Sequence, residues 1–229
     1  TTGSWANFEN EDFKLVSINT TRFDVTKHRA TPVISDAKVG FEELSKALGD
    51  WRAPNIWFER AVKERTEWDS YVDKESGPTN QELPSYAHAV GAIYRNADPS
   101  DIVVTAAGGL VGEVVQIWKP KQKNTFETEW GFSCMGYEIS GALGIKMAKP
   151  DQDVIVFIGD GSYLLANSDI YSSVIYDKKL IIVVCDNGGH MVINRLQLAK
   201  GGKEYICNLR AARTSNLQFV DFEAHAKSM

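Results

Sequence analysis

The chain has 229 residues, 43% of them hydrophobic, enough to bury one sizeable core. Its 25 Lys and Arg against 30 Asp and Glu give a net charge of −5, which argues against a nucleic-acid partner, because neutralising phosphates takes clustered cations. No run of eighteen apolar residues occurs and no secretory leader pattern opens the sequence, so neither a transmembrane span nor a membrane partner is expected.

Taken in order, Phe13–Asn19 alternates like a strand and Thr31–Ser35 reads as a second. Asp36 is placed to cap a helix from about Ala37 to Leu48 that ends at Gly49. His28 reads as a surface-loop residue. From Arg52 to Glu82 the chain is charged, with Trp57, Phe58, Trp68 and Tyr71 at near-helical spacing. This predicts a helix with a packed aromatic stripe, followed by a linker around Glu75–Asn80. A helix over Leu83–Tyr94 should start behind Pro84 with Ser85 as its cap.

Asp101–Thr105 predicts a buried strand that runs into the small residues Ala106, Ala107, Gly108 and Gly109, and then a helix to about Trp118. Strand, small-residue loop and helix together suit an anion at the helix N-terminus. Alanine at 107 rules out the dinucleotide-binding GxGxxG pattern. A glycine-rich stretch, Glu129 to Glu138, precedes a helix over Ile139–Met147. Cys134, Cys185 and Cys207 are odd in number and lack zinc spacing, which predicts free thiols in a reducing, cytoplasmic compartment.

The most informative stretch is Val154–Gly189. The apolar run Val154–Ile158 is too short for a helix and rich in β-branched residues, so it predicts a buried strand. Gly159-Asp160-Gly161-Ser162 interrupts it, a segment of helical length spans about Tyr163–Lys178, and a second buried strand covers Leu180–Cys185 before Asp186-Asn187-Gly188-Gly189. This is a βαβ unit of an α/β fold with a parallel sheet flanked by helices. Its crossover brings Asp160 and Asn187 to the carboxyl edge of the sheet, where ligands bind. One carboxylate, one amide oxygen and phosphate oxygens make a set suited to Mg²⁺, and Gly159 and Gly161 allow a bulky anion to come close.

Gly-Asp-Gly followed some twenty-five residues later by Asn resembles the motif of thiamine diphosphate (ThDP) enzymes of the acetolactate synthase-like superfamily. In that family the Asp, the Asn and a backbone carbonyl two residues beyond it hold Mg²⁺; the matching positions are Asp160, Asn187 and Gly189. The family commonly carries Asn where this chain has Asp186. The Ala106–Gly112 loop matches the family's first diphosphate loop, through Ala107, Gly108 and Gly109. Met135, twenty-five residues before Asp160, matches the methionine that props the cofactor into its bent shape, and Ser133 would offer a carbonyl to the pyrimidine amino group. Gly159, Gly161 and Ser162 complete the cofactor-binding set.

Stretches such as EWGFSCMGYEISGALGIKMA and CDNGGHMVINRLQ resemble one branch of the superfamily, which opens a cyclic 1,2-dione to 5-deoxyglucuronate in inositol catabolism. The resemblance implies the tail of a middle domain over 1–51, a helix and linker over 52–82, and a ThDP diphosphate-binding domain over 83–229 that stops before its last strands. It also implies a homodimer or homotetramer, in which a pyrimidine-binding domain of a partner subunit supplies the activating glutamate; no catalytic residue of this kind is expected in this chain. Alternatives are an acetolactate synthase-like carboligase or decarboxylase, and a non-catalytic ThDP-binding module. The segment Leu198–Asn216 is only loosely like the family. Glu113, Glu138 and His190 are polar neighbours of the site without assigned roles.

Overall fold

The computed structural model describes residues 10, 12–129, 131–209 and 220–229. The chain divides into two compact units, Thr1–Lys63 and Glu64–Met229.

In the first unit, β1 (Val16–Asn19) and β2 (Thr31–Ile34) pair in parallel, joined through α1 (Arg22–Val25) and a 3-10 turn. α2 (Ala37–Leu48) follows, and the Asp36 carboxylate accepts from the amides of Lys38 and Val39, as its position before the helix predicts. α3 (Asn55–Glu75) begins in this unit. The packed aromatic stripe expected along α3 is not found: Trp57, Phe58, Trp68 and Tyr71 are 67%, 69%, 45% and 52% exposed, and Val72 is the helix's buried residue. From Glu59 to Asp73 charged residues dominate this helix, so near-helical spacing brings the aromatics to one side without supplying an apolar surface to meet. Trp68 and Tyr71 pack on each other instead, with ring centroids 5.7 Å apart.

The second unit is a four-stranded, all-parallel sheet. Its elements after α3 are α4 (Tyr86–Asn96), β3 (Ile102–Thr105), α5 (Leu110–Ile117), β4 (Phe126–Thr128), α6 (Tyr137–Ala148), β5 (Val154–Gly159), α7 (Asp160–Leu165), α8 (Asp169–Ile175), β6 (Ile181–Cys185), α9 (Met191–Ala199) and α10 (Phe222–Lys227). The strand order is β4-β3-β5-β6. Strand side chains alternate between faces, and here both faces are covered. Val103, Ile155 and Phe157 pack with Val90, Leu110, Val114 and Trp118 from α4, α5 and its cap. Ile102, Val104, Val156 and Ile158 pack with Ile139, Ala142, Tyr163 and Ile170 from α6, α7 and α8. Burial on both sides explains why these strands read as continuous apolar runs.

Three details depart from the sequence-based expectation. β4 has only three residues, too few to show a period. The single helix expected over Tyr163–Lys178 is two, α7 and α8, because the Asn167 side-chain amide takes the Tyr163 carbonyl at 3.0 Å and ends the first. α9 begins immediately behind the second polar loop, at Met191. Residues 210–216 of the Leu198–Asn216 segment, and Trp130 of the glycine-rich stretch, lie outside the described residues. Cys134, Cys185 and Cys207 form no disulfide, and burial pushes the Cys185 thiol up to about 11. Among the described residues no helix is long and apolar enough to cross a membrane.

Candidate functional site

From β3 the chain passes outward to β4 and then returns across β3 to β5 and β6. The loops after β3 and β5 therefore leave the sheet in opposite directions at its carboxyl edge, which opens a crevice between them. That crevice is a cleft of about 710 Å³, counting space open to solvent, at the switch point where α/β sheets take small molecules. Ala107, Gly108 and Gly109 form one wall, Gly159 to Ser162 the floor, and Asn187 and Gly189 the far side. Ser133 and Met135 enter from the turn before α6. Every position expected at a cofactor site thus borders a single cavity. Tyr86, Leu110 and His190 to Ile193 also line it; of these only His190 stood out in the sequence.

Asp160 is the electrostatic centre. It is 2% exposed, and its Oδ2 accepts the Gly189 amide at 2.6 Å. Burial, and then the charge of Asp186, raise its pKa above the ordinary carboxylate value, against the pull of the Gly189, Gly161 and Asn187 amides. Among the described residues no Lys or Arg pairs with Asp160, and no cluster of three or more His, Cys, Asp or Glu forms a metal cage. A desolvated carboxylate without a protein cation beside it is a fit for a hard divalent ion that brings further oxygens from its own ligand. It is not a fit for a zinc-type site of protein ligands alone.

The opposite loop is held in a strict shape. Asp186 Oδ1 accepts the Gly188 amide at 2.8 Å, and the Gly188 carbonyl accepts from Leu209 at 2.9 Å. Gly189 sits at φ +139°, and a Cβ there would lie 2.3 Å from the Cys207 carbonyl oxygen, so only glycine fits. On the floor, the His190 ring occupies the space a side chain at Gly161 would need, 2.6 Å from its Nδ1, with the Met135 methyl 3.6 Å from the same point. Tyr86, the first residue of α4, reaches the loop from across the sheet: Asn187 Nδ2 donates to its hydroxyl, and the hydroxyl donates to the Cys185 carbonyl at 3.4 Å. Burial pushes the Tyr86 phenol up to about 12.

Two carboxylates shape the remaining loops. Glu138 is fully buried; its Oε1 accepts the Ala107 amide at 3.2 Å and its Oε2 the Gly136 amide at 2.8 Å. It therefore ties the small-residue loop to the Met135 turn. The Ala107 N–H, spent on Glu138, is not available to an anion, so the donors of this loop are those of Gly108, Gly109 and the first turn of α5. Glu129 accepts the Phe132 and Cys134 amides, each at 2.7 Å, and these two bonds, the first foremost, hold its carboxyl below the usual range. They brace a turn in which Ser133 has φ +53°. Glu113 does not line the cleft; it borders a second polar cavity with Gln116 and Arg195, and Tyr86 lines both.

Replacing Glu138 with glutamine should turn one acceptor into a donor facing a backbone N–H. Stability should fall by about 1 kcal/mol for the orphaned amide, and ligand affinity in the cleft should fall with it. Thermal unfolding of the variant beside a ligand titration checks both; full affinity would show that the two loops hold their shape unaided.

Residues 106–229 match the family described as thiamine pyrophosphate enzyme, C-terminal TPP binding domain. Among similar proteins are the 3D-(3,5/4)-trihydroxycyclohexane-1,2-dione hydrolases of Halalkalibacterium halodurans, 33% identical over 92% of this chain and 37% of that protein, and of Lacticaseibacillus casei, 34% identical over 91% and 36%. The protein of the same name from Listeria innocua is 33% identical over 97% of this chain and 38% of its own length. The chain spans little more than a third of the length of these relatives.

Proposed function

Because this chain belongs to the thiamine pyrophosphate enzymes, carrying their C-terminal TPP-binding domain, we propose that its cleft holds the diphosphate end of ThDP through Mg²⁺, in a cytoplasmic enzyme that hydrolyses a C–C bond of a cyclic 1,2-dione. The carrying observation is Asp160, a buried carboxylate that pairs with no Lys or Arg among the described residues and borders the same cleft as Asn187 and Gly189. Asp160, the Asn187 amide oxygen and the Gly189 carbonyl are the proposed metal ligands. Amides of Gly108, Gly109 and the first turn of α5 would receive phosphate oxygens, aided by the positive end of the helix. Met135, polarizable and unbranched, would support the bent cofactor, and Ser133 would present a carbonyl to its pyrimidine.

ThDP, when bound, supplies an electron sink for breaking a C–C bond beside a carbonyl. The residues of this chain hold and orient it. The activating glutamate would come from a pyrimidine-binding domain of a partner subunit, in a homodimer or homotetramer. The dione substrate rests on the names of the relatives, since the roles proposed for the cleft residues are all toward the cofactor.

Incubating the full-length protein with ThDP, Mg²⁺ and trihydroxycyclohexane-1,2-dione should yield ring-opened 5-deoxyglucuronate, detected by mass and NMR. Turnover of pyruvate without ring opening would replace this reading with that of a carboligase or decarboxylase.

A further inference from the structure

We propose that Tyr86 is a positioning residue for the cation, acting by fixing which end of the Asn187 amide faces the site. The proposal rests on the Mg²⁺–ThDP reading of the cleft and extends it to a residue on another element, 101 positions earlier in the chain.

A side-chain amide has two different ends. Its oxygen can ligate a hard cation; its NH₂ can only donate and would repel one. An asparagine held by its backbone alone is free to turn about its last side-chain torsion, which is broad and nearly two-fold. Here the choice is made by a hydroxyl. The Tyr86 phenol has a single proton, and the Cys185 carbonyl lies within 3.4 Å to take it. The phenol oxygen is left as an acceptor, and Asn187 Nδ2 donates to it. With the NH₂ end so engaged, the amide oxygen is turned away from Tyr86. Among the described residues no donor is hydrogen-bonded to that oxygen, although Asn187 is exposed and borders the cleft.

The tyrosine is itself well placed to hold a direction. Ser85 caps α4 through a reciprocal bond with His88, which fixes the first turn in which Tyr86 stands. Its ring packs against the core cluster that includes Val103, Leu110 and Phe157. The carbonyl that takes its proton belongs to Cys185, the last residue of β6, two positions before Asn187. Tyr86 therefore measures the loop against the strand that carries it. Outer partners of this kind typically change metal affinity by about 10–100-fold.

The test is a double-mutant cycle in the full-length protein, with Mg²⁺ titrated at fixed ThDP and binding read by quenching of tryptophan fluorescence. Tyr86→Phe keeps the ring and removes the hydroxyl; it should raise the half-saturating Mg²⁺ concentration roughly tenfold, while the thermal midpoint of the ligand-free protein stays where it was. In an Asn187→Ala background the same substitution should change nothing further, because the amide it orients is gone. Wild-type affinity in Tyr86→Phe, or an equal loss in both backgrounds, overturns the proposal and leaves Tyr86 a packing residue. If the wild type itself bound ThDP without regard to Mg²⁺, the reading of the cleft would fall first, and this proposal with it.

Discussion

Replacing Asp160 with asparagine is expected to abolish Mg²⁺-dependent ThDP binding, with affinity reduced at least a hundredfold at millimolar Mg²⁺. The reduction should exceed that of an outer-shell change, about 10–100-fold, because the substitution removes the sole charged ligand proposed for the cation. Asparagine is the informative replacement. Its Oδ1 can still accept the Gly189 amide that Asp160 holds at 2.6 Å, so the loop keeps its tether while the charge is lost. Losing the charge also removes a group that burial and Asp186 disfavour, which offsets the weaker hold on the Gly161 and Asn187 amides. Asp160→Ala should lose binding equally and additionally leave the Gly189 N–H without its acceptor, at about 1–3 kcal/mol. Calorimetric titration of both variants decides it; unchanged affinity in the asparagine variant would place the cation elsewhere.

Replacing Gly91 with alanine should give a clear loss of stability from a single methyl group placed outside the cleft. α4 crosses the end of α3 at this glycine, and an added Cβ would lie 2.2 Å from the Ser76 carbonyl oxygen and 2.8 Å from the Ser76 Cβ. Neither atom can step aside. The Ser76 carbonyl accepts from Arg95 at 2.6 Å, and the Ser76 hydroxyl is bonded to the Val72 carbonyl at 2.7 Å. Alanine in place of glycine inside a helix would by itself gain about 1 kcal/mol, but overpacking against backbone costs about 3 kcal/mol or more. The net loss of about 2 kcal/mol should lower the unfolding midpoint by roughly 4–8 °C for a domain of this size. A midpoint equal to or above the wild type would mean that the two helices are not packed this closely. The effect bears on function, because the same helix carries Tyr86 to the cleft.

The difference between these two sites also shows what is legible in a sequence. Asp160 announces itself, because a carboxylate between glycines at the end of an apolar run has few structural reasons to be there. The same holds for the small residues after Thr105 and the polar loop after Cys185: each is a break in a pattern, and breaks are local. Gly91 and Tyr86 break nothing. They look like ordinary helical residues, since the partners that give them meaning, Ser76 and Asn187, lie in other elements. Glu138 reads in the sequence as a polar neighbour of the site, but its two amide partners, on two loops, carry no sequence signal. The aromatic stripe on α3 erred in the opposite sense: its spacing was real, yet spacing reports which residues share a side and not whether anything covers it.

By itself the sequence determined the local elements and the chemistry at their ends: buried parallel strands, loops of small residues, one carboxylate and one amide at strand termini. These follow from short-range physics, namely β-branched runs, caps and glycine freedom, which needs no knowledge of distant residues. The tertiary structure alone decided the strand order β4-β3-β5-β6, the crevice that this order opens, and the hydrogen bonds that orient Asn187 and join the Ala107 loop to the Met135 turn. Those depend on which elements pack together, a choice made by the burial of two whole sheet faces rather than by any one stretch of chain.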